Sequence, residues 1–193
     1  MTNSRLGVFC IEDAHIQNYR SRVSVAPVLD SLSRLSAIPV QYRPVESKTE
    51  FSSIAQLWAE RHSDAKPVMY ISCHGAPGSI FLGDRLVSIE RLADTLRTVN
   101  DSSVIYFATC STLQISDTRL YEFLDRSNAR AIFGYRKKIS WFQSAAFEII
   151  ALNEILSWIQ DGDLAEGPTM LQEKLSDQMK GLYKSLGFRM AYR

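Results

Sequence analysis

Residues 68–79, VMYISCHGAPGS, begin as an unbroken apolar run and end on a histidine and a glycine. Residues 103–112, SVIYFATCST, repeat the plan with a cysteine at position 110. Neither run alternates polar with apolar residues, the mark of strands covered on both faces. Such strands belong to parallel sheets whose crossovers are helices. Ligands of such sheets sit at the carboxyl ends of the strands. His74 and Cys110 both follow a strand's carboxyl end. If the two strands are neighbours, both side chains emerge on one rim.

Working outward, LGVFCI (6–11) reads as a further buried strand. APVLDSLSRLS (26–36) reads as a helix, with Val28, Leu29, Leu32 and Leu35 as its apolar set and Pro27 in its first turn. IPVQYRPV (38–45) is strand-like, but its two prolines put it at a sheet edge. SKTEFSSIAQLWAERHS (47–63) is a helix with Phe51, Ile54, Leu57 and Trp58 on one stripe. SIERLADTLRTV (88–99) is a helix capped by Ser88, followed after the Cys110 strand by a helix over 116–128 and a strand over 129–135. A long apolar helix (142–163), a second helix over 167–187 opened by Pro168, and a last strand, FRMAYR (188–193), complete the pattern. The expectation is one α/β domain over 1–193, a mainly parallel sheet flanked by helices on both faces.

Composition narrows the function classes. Of 193 residues, 46% are apolar and 22% charged, and the net charge is +1, so no field of one sign points to nucleic acid or an anionic membrane. No apolar run is long enough to span a bilayer, and residues 1–13 carry no signal-peptide pattern. The three cysteines (Cys10, Cys73, Cys110) show no paired spacing, which argues against a disulfide scaffold and against a zinc site. A reduced, cytoplasmic protein without metal or cofactor is expected.

A thiol becomes a strong nucleophile as a thiolate, and an imidazole within reach takes its proton. The oxyanion formed on attacking an amide needs aimed N–H donors. Gly75, lacking a side chain, can bring its amide close, and the amide of Cys110 is the second donor. No acidic third member is evident, so a backbone carbonyl is left to orient the histidine. Taken singly, a strand-end cysteine is a small core hydrophobe and a His-Gly pair is turn chemistry; their combination at two strand ends is what raises the catalytic reading. Cys73 adjoins His74, but side chains alternate along a strand, so Cys73 reads as structural. His62 ends a charged helix and reads as solvated. His15 follows the first strand on the same rim and is a candidate for substrate binding.

VMYISCHGAPGSIFLGD followed by a helix and then SVIYFATCST resembles the caspase-like superfamily of cysteine peptidases (clan CD), and in particular its bacterial CHAT branch. ARAIFGYRKKISWFQSAAFEIIALNEIL (129–156) is similar to that family's strand, loop and long helix after the nucleophile. The resemblance implies a three-layer sandwich and a cysteine endopeptidase. Cys110 is then the nucleophile, His74 the general acid and base, and Gly75 with Cys110 the oxyanion hole. Tyr135, Ser140 and Trp141 correspond to the segment lining the S1 pocket. Arg20 and Arg22, with Arg136, Lys137 and Lys138, would attract an acidic substrate residue; Glu12, Asp13 and Asp84 would attract a basic one. The basic set is slightly favoured, because arginine holds a carboxylate with two hydrogen bonds.

The sequence departs from the metacaspase-like branch in having no aspartate beside Cys110. It shows no repeat array or sensing domain, so the resemblance implies control in trans, by an activating protein, a small-molecule ligand or processing. Bacterial members often act in antiphage or cell-death systems, which sets the expected context. Among rival readings, a catalytically idle adaptor would have lost a dyad member, and both are present. An α/β-hydrolase needs a Gly-x-Ser-x-Gly elbow, and a nucleotide-binding domain needs a Gly-rich phosphate loop; the sequence has neither.

Overall fold

In the computed structural model, residues 6–16, 23–97, 100–161 and 167–193 are described. Six strands form the central sheet: β1 (Val8–Asp13), β2 (Val40–Val45), β3 (Val68–Ser72), β7 (Val104–Ala108), β8 (Ala131–Tyr135) and β9 (Phe188–Tyr192). Their order is β2-β1-β3-β7-β8-β9, all parallel except β9, which runs antiparallel to β8. The chain lays β2 on one side of β1 and β3 on the other, so the strand order reverses at β1. β4 (Gly75–Ala76), β5 (Ser79–Leu82) and β6 (Arg85–Ser88) make a small antiparallel sheet directly after His74.

Helices cover both faces. α2 (Lys48–Arg61), α3 (Ile89–Leu96) and α4 (Asp117–Ser127) bury Phe51, Trp58, Leu92 and Phe123 against Phe9, Ile71 and Phe107. On the other face, α1 (Ala26–Ser36), α5 (Trp141–Asp161), α6 (Gly167–Gln178) and α7 (Lys180–Leu186) meet Tyr70, Tyr106, Phe133 and Phe188. β1, β3, β7 and β8 are buried at every residue, as runs without alternation require. β2, with Pro44, does lie at the edge. Ser47, Ser88 and Ser116 each accept an amide from the first turn of the helix that follows, which fixes where α2, α3 and α4 begin.

Three expectations need correction. Leu35 is 80% exposed. At 100° per residue it lies roughly 90° round the helix from the centre of the Leu29–Leu32 stripe, outside the contact with the sheet. Leu57 is likewise exposed, and Ala55 and Ala59 join Phe51 and Trp58 in the core instead. The expected helix over 167–187 is broken at Met179 (φ −130°, ψ 35°), giving α6 and α7. The break turns α7 back so that Tyr183 packs edge-on against Phe147 and Phe188, and Gly187 at φ 62° leads into β9.

Candidate active site

β3 and β7 are neighbours, with Ser72 opposite Ala108. His74 and Cys110 each stand two residues beyond that pair. They therefore leave the sheet at the same height and with the same parity, continuing the rows Val68–Tyr70 and Val104–Tyr106 on the α1/α5 side. Both line one cavity of about 40 Å³. Tyr70 and Ala108 line it from the sheet, the buried Cys73 from beside His74, and Val25 and Ile139 from flanking loops. Trp141, Ser144 and Glu148 line it from α5. Their i, i+3, i+7 spacing puts them on one helix face.

The Gly75 backbone passes very close to the Cys110 segment. A Cβ built on Gly75 would lie 2.3 Å from the Cys110 carbonyl oxygen and 2.5 Å from Thr112 Oγ1. Ser111, directly after Cys110, has φ 58°, a left-handed conformation uncommon for a side chain larger than glycine. That turn is held from three sides. Ser111 N–H donates to the Lys137 carbonyl (2.9 Å) and Leu113 N–H to the Tyr135 carbonyl (3.0 Å). Arg189 on β9 donates to the Leu113 and Ile115 carbonyls (2.9 and 2.5 Å) and to Asp117. The Ile139 N–H points at Cys110 Sγ, 3.5 Å away. Phe81 N–H donates to the His74 carbonyl (2.8 Å), tying the histidine to the small sheet.

The three thiols differ sharply. Cys10 and Cys73 are buried, and burial pushes both thiols well above the ordinary value, with the Glu12 and Glu148 charges adding for Cys10 and the Asp13 charge for Cys73. Cys110 is partly exposed, and His74 is exposed. No described residue hydrogen-bonds the His74 ring, and the ring and the thiol do not bond directly; they share the cavity wall. Catalytic hydrogen bonds are often long before substrate binds.

Glu148 is a buried carboxylate at this cavity. It accepts from Tyr70 OH (2.6 Å) and Tyr135 OH (2.8 Å), and Tyr135 OH meets Tyr106 OH at 2.8 Å. Burial raises its pKa above 4.5, partly offset by the two tyrosine hydrogen bonds. The sequence reading missed Glu148, Ser144 and Tyr70. The available signal was a lone acid inside the apolar stretch SAAFEIIAL (144–152), about two helical turns from Trp141 and on the same face.

The other expected site residues are scattered. Trp141 lines the cavity. Ser140 is exposed and its carbonyl accepts the Ser144 amide, while Tyr135 is fully buried beneath the site in the tyrosine network; neither lines the cavity. Arg20 and Arg22 lie outside the described residues. Arg136, Lys137 and Lys138 do not line it either, and Lys137 Nζ donates to the Lys184 carbonyl (3.0 Å).

Glu12 and Asp13 are buried structural acceptors rather than surface charges. Glu12 takes Val25 N–H (2.8 Å), Ser24 Oγ (2.6 Å) and the Tyr42 hydroxyl, whose pKa is pushed up to about 12 by burial and this bond. Asp13 takes Gly83 N–H (3.0 Å) and both the backbone and Nδ1 of His15 (3.1 Å each). His15 itself faces a different, larger cavity. His62 is only partly solvated: it is half-buried, stacked on Phe9 with centroids 5.7 Å apart, and its pKa is lowered by burial and by Lys66, Arg43 and Arg61. Among the described residues no three His, Cys, Asp or Glu side chains cluster as metal ligands do, and no helix is long and apolar enough to cross a membrane.

The architecture has a solved counterpart. The whole chain matches caspase-1 from Spodoptera frugiperda, with a TM-score of 0.55 and 15% identity, covering 100% of this chain and 88% of that one. At that identity the likeness speaks to the fold, which is caspase-like. No curated protein sequence matches the chain. Residues 5–192 match the profile of the "Family of unknown function (DUF6642)". On that match, which covers almost the entire sequence, the chain belongs to the DUF6642 family, and it carries the family's sequence on a caspase-like fold.

Proposed function

We propose that the chain is a cysteine endopeptidase of the CHAT type, with Cys110 as nucleophile and His74 as general acid and base. One observation carries the reading: the two groups leave adjacent parallel strands at the same height and wall one small cavity. His74 takes the thiol proton as sulfur bonds to the peptide carbonyl carbon. The carbonyl oxygen becomes an oxyanion, received by the amides of Gly75 and Cys110. The carbon–nitrogen bond then breaks and the amine leaves with the proton from His74. Water, deprotonated by His74, cleaves the thioester and frees the thiol. Glu148 is the carboxylate at the cavity, whereas of the expected basic set the described members, Arg136, Lys137 and Lys138, do not line it. The substrate is a protein, activity is controlled in trans, and the setting is a bacterial defence or cell-death locus.

The test is labelling of the folded chain with iodoacetamide, read by mass spectrometry. Cys110 should react ahead of Cys10 and Cys73, whose thiols are buried. His74→Ala should slow Cys110 labelling by roughly 10²-fold, the scale of a lost general base. Equal reaction of the three thiols, or an unchanged rate in the variant, removes the peptidase reading. Retention of biological activity by Cys110→Ala would establish the idle adaptor instead.

A further inference from the structure

A cavity far larger than the one at Cys110 lies away from it. It has a volume of about 690 Å³ and opens at the carboxyl ends of β1 and β2, under the β5–β6 turn. Four elements contribute nitrogen-bearing side chains to it: His15 after β1, Lys48 at the start of α2, Arg85 on β6 and Arg91 on α3. Two carboxylates, Glu46 and Asp84, also line it, and Asp84 sits 3.5 Å from Arg85. Lys48 and Arg91 form no ion pair with any described residue. They also border a second cavity of about 250 Å³, next to the first. Lys48, Arg85 and Arg91 against Glu46 and Asp84 leave the wall a net charge of +1 with His15 neutral, and a concave site focuses that positive excess. The volume falls in the range of small-molecule sites, and Leu82 and Leu86 add an apolar patch, Leu86 being 55% exposed.

The cavity wall is joined to the candidate active site by one short run of chain. Asp13 clamps both His15 and the Gly83 amide. Gly83, at φ 60°, is the turn of the β5–β6 hairpin, and Phe81 of the same hairpin donates its amide to the His74 carbonyl. A ligand that pulls on the Gly83 turn therefore acts on the strand that fixes the His74 main chain.

We propose that this cavity is an effector site for a phosphate-bearing small molecule of nucleotide size, held by Lys48 and Arg91 and sensed at His74. Arginine grips phosphate oxygens with its fork and lysine as a point charge. The sensing half rests on the dyad reading above; the binding half does not.

The experiment is calorimetric titration of the full chain with inorganic pyrophosphate and with ATP. Both should bind, more weakly as salt rises. The Lys48→Ala/Arg91→Ala double variant should bind at least tenfold more weakly for each cation lost. Lys180→Ala, on α7, should match the native chain. No heat from pyrophosphate at millimolar concentration, or native affinity in the double variant, overturns the site. Binding of pyrophosphate with exclusion of ATP overturns the nucleotide-sized class. In a second arm, saturating pyrophosphate should change the rate of Cys110 alkylation at least twofold in the native chain and leave the double variant unchanged. Binding with an unaltered rate overturns the effector role. Alkylation without pyrophosphate, compared between the native chain and His74→Ala, tests the dyad separately.

Discussion

Gly75→Ala is the sharpest probe of the site's construction. The added methyl would sit 2.3 Å from the Cys110 carbonyl oxygen and 2.5 Å from Thr112 Oγ1, and contacts under 3.0 Å are essentially never tolerated. The nearest obstacle is backbone, so it cannot rotate away. The Cys110 segment must retreat by about 0.7 Å, or β4 must lift by as much. Overpacking of this kind costs roughly 1–3 kcal/mol. For a domain of this size that is a fall in Tm of about 2–12 °C. The larger effect falls on chemistry. A misplacement of about 1 Å can cost on the order of 10²-fold in rate, so His74-dependent alkylation of Cys110, and with it the proposed peptide cleavage, should drop between tenfold and a hundredfold. Gly181→Ala is the internal control. Nothing lies within 4 Å of a Cβ there, and the position is inside α7, so that variant should keep full reactivity and gain up to about 1 kcal/mol of stability. Native Tm and native Cys110 reactivity in Gly75→Ala would refute the claim that Gly75 is there to let the two segments touch.

Arg189→Ala should loosen the turn after Cys110. It removes a guanidinium that holds two carbonyls, at a cost of about 2 kcal/mol, and Arg189→Lys should not restore it because the fork is lost; calorimetric Tm and Cys110 alkylation report both effects, and a full rescue by lysine would contradict the assignment. Glu148→Gln tests the buried acid. The folded-state pKa of Glu148 is raised, so the folded chain holds a proton that the unfolded chain releases, and stability falls as pH rises above 4.5. The variant escapes that loss, so its Tm relative to the native chain should improve from pH 4 to pH 8; a difference that does not move with pH would show that Glu148 titrates alike in both states.

The local elements were legible because their causes are local. The unbroken apolar runs at 68–72 and 104–108, the serine at 88, and the paired prolines of 38–45 announce buried strands, a helix start and an edge strand without reference to anything distant. The His-Gly and Cys110 positions at strand ends were legible for the same reason. Where the reading failed, the deciding contact was not local. Periodicity admitted Leu35 to the apolar stripe, but the width of the face covered by the sheet left it in solvent. The pattern over 167–187 continued through Met179, yet the need to return β9 antiparallel to β8 broke the helix there.

Sequence by itself settled where the six strands of the central sheet and most of the helices between them fall, and which reactive side chains follow two of those strands, because backbone preference and apolar period act over a few residues; it left the small β4–β6 sheet and the break at Met179 unread. Tertiary structure alone decided that β3 lies beside β7 with Ser72 facing Ala108, that Glu148 reaches the cavity shared by His74 and Cys110, and that Glu12 and Asp13 are spent on internal hydrogen bonds. Parallel strands pair only through long crossovers, so which strand becomes the neighbour depends on how all the helices pack at once. That Cys110 and His74, separated by thirty-odd residues, line one cavity is a property of that packing, written in no short stretch of the chain.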